Sequence, residues 1–238
     1  NVQSVRDLMV LENNGLGLNI SIQVLDGILC HNGEFVSSKY LRKDKTIEDF
    51  FSDYNNCYKE ASYDKKLVPM TLEGCVVRIS DVIAYIGRDI DDACKLGIIE
   101  KDSIPLDIIQ VLGSTNKEII NTIVLDIINN SIDKNYIKMS DNVYLALEKL
   151  KSFNYNNIYN KANTKEQVEE YKNMFSLVFD KCLNSLNKHS FNDLIYVDFL
   201  NNMEEKYINN NSNERIVIDY IAGMTDDYFI KVYKQLKK

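Results

Sequence analysis

The chain has 238 residues, 45% of them hydrophobic and 26% charged, with 9 Gly, 2 Pro and no Trp. That balance is globular and the length suffices for a sizeable core, which excludes wholesale disorder and collagen-like repeats. A net charge of −7, with 28 Lys+Arg interspersed among 35 Asp+Glu, argues against a dedicated nucleic-acid surface, because such surfaces need a basic field.

Helical periodicity runs nearly throughout, and strand-like alternation is scarce. Val2, Val5, Leu8, Met9 and Glu12 follow a 3–4 spacing that Gly15 and Gly17 end. The pattern returns at Ile22, Leu25, Ile28 and Leu29, with a stop at Asn32-Gly33 and a loop over 34–45. Thr46, followed by Glu48 and Asp49, opens a helix to about Ala61, since a hydroxyl cap and acidic first turn suit a helix N-terminus. A long helix runs from Thr71 to Lys95 and closes at Gly97. Further helices are predicted over 106–112, 115–131, 140–153, 164–187, 190–208, 213–222 and 226–237, with an Asn-rich connection at 209–213. Ser140-Asp141, Thr164 with Gln167, and Thr225-Asp226 are the clearest starts, and Gly223 is a stop. An all-α fold follows.

No apolar run reaches the ~20 residues that span a bilayer, so no membrane partner is expected. Cys30, Cys57, Cys75, Cys94 and Cys182 are odd in number, far apart and without a CxxC pair. They argue against a disulfide scaffold or zinc ribbon and fit reduced thiols in a cytoplasmic protein. Cys30, Cys75 and Cys94 sit among apolar neighbours and are expected in the core. The two histidines, His31 and His189, have neither metal-ligand spacing nor a following Asp. No glycine-rich phosphate loop and no GxSxG elbow is present. The chain begins at Asn1, already inside an amphipathic pattern, and is expected to be a piece of a longer protein.

The 71–95 segment carries the chemistry. With Ile79 as zero on a helical wheel, Ile83, Ile86, Ile90 and Ala93 fall within about 40° of it and form a core-facing stripe. Asp81, Tyr85 and Asp89 follow at successive i+4 steps on another side, spanning about 12 Å along the axis. Carboxylate, phenol and carboxylate in a row suit either a solvated helix face or the wall of a substrate groove in which one carboxylate holds a divalent ion. Spacing leaves both open.

The string Leu72-Glu-Gly-Cys-Val-Val-Arg-Ile-Ser-Asp-Val-Ile-Ala-Tyr-Ile-Gly-Arg-Asp-Ile-Asp-Asp-Ala93 resembles the last metal-site helix of the HD-domain deoxynucleoside triphosphate triphosphohydrolases, the dGTPase family. Asn1-Val-Gln-Ser-Val-Arg6 is similar to that family's helix after the HD region. Gly17-Leu-Asn-Ile20 with Asp26-Gly-Ile-Leu-Cys-His31 is similar to its next helix. Phe153-Asn-Tyr-Asn-Asn-Ile-Tyr159 and Asp219-Tyr-Ile-Ala-Gly-Met-Thr-Asp226 resemble its C-terminal signatures. The likeness runs, with gaps, from residue 1 to about 237.

The resemblance implies an HD-superfamily helical bundle over 1–135, with a C-terminal helical subdomain over 136–238. It implies hydrolysis of a deoxynucleoside triphosphate, dGTP by default, to deoxynucleoside and triphosphate. A divalent ion such as Mg²⁺ or Mn²⁺ would activate the attacking water. Asp81 matches the final metal ligand. Tyr85 matches a residue that packs on the sugar, and Asp89 one that accepts a hydrogen bond from the 3′-hydroxyl. His31 corresponds by position to a pocket residue near the phosphates, although its place at a helix end also fits plain C-terminal capping.

The family's first metal His, its His-Asp pair and its catalytic His and acid have no counterpart in this chain and are expected before Asn1. The chain is therefore expected to hold no catalytic residue and to be inactive by itself, and a homo-oligomer is implied by family habit. Two other readings stay open: a non-catalytic helical module that binds nucleotides or partners, and an HD phosphohydrolase acting on another phosphate ester.

Arg6 and Arg78 are read as surface ion-pairing residues, with phosphate contact as the alternative. Gly223-Met224-Thr225-Asp226 reads as helix stop followed by N-cap, with Asp227 standing where relatives carry a basic residue. Tyr155, Tyr159, Tyr171 and Tyr207 read as a mixture of core and surface residues.

Overall fold

The computed structural model describes residues 1–32, 36–162 and 164–237. The stop expected at Gly33 and the first two residues of the expected 34–45 loop lie outside them. The elements in order are α1 (Val2–Arg6), α2 (Ile22–Cys30), β1 (Lys39–Tyr40), α3 (Ile47–Lys59), α4 (Leu72–Lys95), α5 (Leu106–Leu112), α6 (Asn116–Ser131), β2 (Ile137–Lys138), α7 (Asp141–Asn154), α8 (Lys165–Asn187), α9 (Leu194–Asp198), α10 (Glu205–Asn210), α11 (Asn213–Ala222) and α12 (Asp226–Leu236). Helix α1 runs into a π turn, Asp7–Leu11, and α7 into another, Tyr155–Tyr159. The fold is all-α. Its only described sheet is a two-residue antiparallel ribbon pairing Lys39 with Lys138 and Tyr40 with Ile137, too short for a period-2 pattern to register in the sequence.

Packing divides the chain into two units. One holds residues 1–2 and 21–163, the other residues 3–20 and 164–238. Within the first unit β2 pairs with β1 and α7 packs on α5.

In the first unit α4 is the central helix. Thr71 caps it, its side chain accepting from the Gly74 N–H at 3.0 Å. The stripe of Ile79, Ile83, Ile86, Ile90 and Ala93 is buried as its spacing predicts, against Ile108 and Leu112 of α5, Ile119 and Ile123 of α6 and Leu147 and Leu150 of α7. Gly87 lets α6 come close: a Cβ there would lie 2.3 Å from Asn116 Oδ1. Asp26, fully buried in α2, is satisfied by Lys45 Nζ at 2.7 Å and the Met70 N–H at 2.7 Å. The Lys45 side chain is itself buried and pairs also with Asp53 at 2.9 Å. Burial pushes the neighbouring Cys30 thiol up to about 12.

The second unit has its own core, built on Val178, Cys182 and Leu186 of α8, Ile195 of α9, Tyr207 of α10, Ile216 and Val217 of α11 and Val232 of α12. The single helix predicted over 190–208 is broken here into α9, a 3₁₀ turn at Leu200–Asn202 and α10. Phe199 leaves helical geometry (φ −132°, ψ −66°), and Met203 and Glu204 are extended. The Glu204 N–H donates to Asn14 O at 2.8 Å instead of to its own helix. A tertiary backbone bond thus replaces the local one. The Asn-rich connection shrinks to Asn211 and Ser212, since α10 reaches Asn210 and α11 begins at Asn213.

Among the described residues no helix is long and apolar enough to cross a membrane. All five cysteines are free; Cys30 and Cys75 are buried and Cys94 is half-buried.

Candidate substrate cleft

The outward face of α4 borders a cleft of about 390 Å³ in the first unit. Asp81, Tyr85 and Asp89 all line it, above Val82 and Ile86 at its floor. The i+4 row and the core stripe are two faces of one helix, so burying the stripe against α6 and α7 leaves the row to form a wall. Asp81 and Asp89 are half-buried and Tyr85 is 57% exposed. Lys151 and Asn154 of α7, together with Tyr159, line the cleft as well, and Asn1 and Asn32 complete its rim.

Two contacts tie these walls together. Asn154 is 1% exposed and donates from Nδ2 to Ile86 O at 2.9 Å. Its Oδ1 is buried and has no hydrogen-bond partner among the described residues. The Tyr159 hydroxyl donates to Asp89 Oδ2. Burial first, then the bond to Asp89 and its negative charge, push the Tyr159 phenol above its ordinary range, so it stays a donor at any physiological pH.

His31 is not among the described lining residues, although its neighbour Asn32 is. It sits at the C-cap of α2 with Nδ1 2.5 Å from Ile28 O, the geometry of a ring N–H closing a helix end. A divalent ion needs several hard ligands. No cluster of three or more His, Cys, Asp or Glu able to hold a metal occurs among the described residues. Asp81 belongs to no such cluster among the described residues.

Arg6 and Arg78 are not surface ion-pairing residues. Arg6 reaches Asp219, 1% exposed in α11, through Nε at 2.7 Å and Nη2 at 2.6 Å. Arg215 adds a bond to Asp219 at 2.9 Å and the Tyr207 hydroxyl another at 2.9 Å. Arg78 is 7% exposed and donates to Leu67 O at 2.6 Å. Arginines so close to carbonyl and carboxylate acceptors are committed to the fold. Thr225 caps α12, its side chain accepting from the Tyr228 N–H at 3.3 Å, and Gly223 is the C-cap of α11. Tyr207 is core, whereas Tyr155, Tyr159 and Tyr171 are exposed at 59%, 48% and 47%.

A family model described as a phosphohydrolase-associated domain matches residues 137–235. A deoxyguanosinetriphosphate triphosphohydrolase-like protein of Caldanaerobacter subterraneus subsp. tengcongensis is 34% identical over 234 residues, covering 98% of this chain and 56% of the relative. Proteins of the same description from Clostridium tetani and Clostridium perfringens (strain SM101 / Type A) are 32% and 34% identical, covering 99% and 98% of this chain and 58% and 59% of theirs. The chain belongs to the deoxyguanosinetriphosphate triphosphohydrolase-like family. It spans somewhat more than half the length of these relatives.

The polar and aromatic lining residues that the sequence does not place in the cleft are Asn1, Asn32, Lys151, Asn154 and Tyr159. A signal existed for one of them. Asn154 continues the buried spacing Val143, Leu147, Leu150 of α7, and an amide on an apolar stripe demands a polar partner. Tyr159 gave no such signal, because the π turn that it ends interrupts the helical period.

Proposed function

We propose that the cleft on α4 binds a deoxynucleoside triphosphate and that the protein containing this chain hydrolyses it to deoxynucleoside and triphosphate. The observation that carries the reading is that Asp81, Tyr85 and Asp89 all line one cleft. dGTP is the first substrate to test, on the printed description of the relatives. In this reading Tyr85 packs on the sugar, where a 2′-hydroxyl is crowded, and Asp89 accepts from the 3′-hydroxyl. Among the described lining residues Lys151 is the cation assigned to the polyphosphate, and His31 stands next in the chain to Asn32 of the rim. Asp81 contributes one oxygen ligand to a divalent ion whose other ligands belong to residues outside these 238. The 238 residues alone are inactive in this reading, and the enzyme assembles as a homo-oligomer.

Incubation of the full-length protein with dGTP and Mn²⁺, scored for deoxyguanosine and triphosphate, tests the reading. Orthophosphate release instead points to another phosphate ester as substrate. A non-catalytic nucleotide-binding module is the second reading, favoured by the lack of a metal-holding cluster among the described residues. Nucleotide binding without turnover by the full-length protein supports it. Asp81→Ala is expected to lower activity at least about 100-fold, the scale on which metal-site supports act, while leaving the thermal midpoint nearly unchanged. Full activity in that variant removes Asp81 from the metal site.

A further inference from the structure

Both ends of the short segment from Asn154 to Tyr159 are fastened to α4. At one end Asn154 Nδ2 donates to Ile86 O at 2.9 Å. A carbonyl only accepts, so this bond sets which way the amide faces. At the other end the Tyr159 hydroxyl donates to Asp89 Oδ2. Between them lies the π turn Tyr155–Tyr159. The extra residue in a π turn shifts the register of the side chains that follow by about 100°, and the residue so placed is the one that meets Asp89.

Asp89 is therefore held through one oxygen only. Its Oδ2 is taken by Tyr159, and Oδ1 carries no protein hydrogen bond among the described residues. We propose that Tyr159 is a positioning residue, whose hydroxyl holds Asp89 Oδ2 and so presents Oδ1 as the acceptor for the sugar 3′-hydroxyl of a bound nucleotide. The inference rests on the nucleotide reading of the cleft. An exposed aspartate rotates freely and pays its ordering entropy on binding. One already clamped by a neighbour has paid it during folding. Asn154 keeps the clamp in place by holding the start of the same segment to the same helix.

The test compares dGTP with 2′,3′-dideoxy-GTP, which differ only in the 3′-hydroxyl, by calorimetric binding to the full-length protein in EDTA so that nothing is turned over. The wild type is expected to favour dGTP about tenfold, the worth of one hydrogen bond to a charged acceptor. Tyr159→Phe is expected to lose most of that preference while its affinity for the dideoxy analogue changes less than about twofold. Asp89→Asn is expected to lose the preference too, and the double variant to lose no more than Asp89→Asn alone, since coupled residues are non-additive. Preference retained in Tyr159→Phe, or equal loss for both nucleotides, overturns the positioning role and leaves the nucleotide reading intact. Strict additivity in the double variant does the same. A wild type that binds neither nucleotide overturns both.

Discussion

Asp219 has almost no access to water, yet its carboxylate takes hydrogen bonds from Arg6, Arg215 and Tyr207. Burial acts to raise its pKa. The bonds from Arg6 and Tyr207 and the charges of Arg6 and Arg215 outweigh that and hold it below the usual carboxylate range. Removing the carboxylate takes away the acceptor shared by two arginines whose side chains are only 11% and 23% exposed. Asp219→Ala is expected to destabilise the second unit by about 3–5 kcal/mol, the cost of leaving a buried charge unpaired, read from the urea midpoint. The pH dependence follows from the sign of the shift. A depressed folded-state pKa contributes stability that is full above the unfolded value of 3.8 and lost as pH falls through the lower folded value. Between pH 5 and the acid limit the wild type should therefore lose more stability than Asp219→Asn. The Asp219 string was visible in the sequence as a family signature, but its partner Arg6, 213 positions away, was not. Ion pairs of that separation have no periodicity.

Helices were legible wherever their information is local. Thr46 with Asp49 and Thr164 with Gln167 form the reciprocal capping boxes that hydroxyl and acid or amide at that spacing make. Thr164→Ala is expected to cost about 1 kcal/mol, measured by chemical denaturation. Helices were misread where tertiary contacts overrule the local pattern. The 190–208 stretch keeps an amphipathic period, but Glu204 spends its N–H on Asn14 and the helix breaks. Gly87 shows the reverse dependence. Nothing in its own neighbourhood asks for glycine, yet a Cβ would also lie 3.1 Å from Asn116 Cα, a backbone atom that cannot swing aside. Gly87→Ala is expected to cost about 1–3 kcal/mol by forcing α4 and α6 apart. Because Gly87 lies between Tyr85 and Asp89, the proposed nucleotide reading of the cleft adds that the same variant weakens nucleotide binding. A lowered urea midpoint with unchanged nucleotide affinity would separate the packing of α4 from its role as a cleft wall.

Two separate cores, one around α4 and one around α8, set the energetics of the molecule. Leu147, fully buried in the first core, is expected to cost about 2–5 kcal/mol when replaced by Ala, and the loss should fall on the first unit. The net charge of −7 acts on the molecule as a whole. It predicts no measurable binding to duplex DNA at 150 mM salt, because counterion release requires a basic surface to drive it. A gel-shift or fluorescence-anisotropy titration checks this.

Composition, caps and the 3.6-residue period determined by themselves that the chain is all-α, where most helices begin and which stripe of α4 enters a core. Each of those properties depends on residues within a turn or two of one another. The quoted motifs also carried the family. Only the tertiary structure decided that Asp81, Tyr85 and Asp89 line one cleft, and that Asn154 and Tyr159 line it with them. Those two reach α4 across 68 and 70 residues of chain. Contacts of that span are chosen by how helices pack and by a π turn that shifts the side-chain register, and neither leaves a period in the sequence.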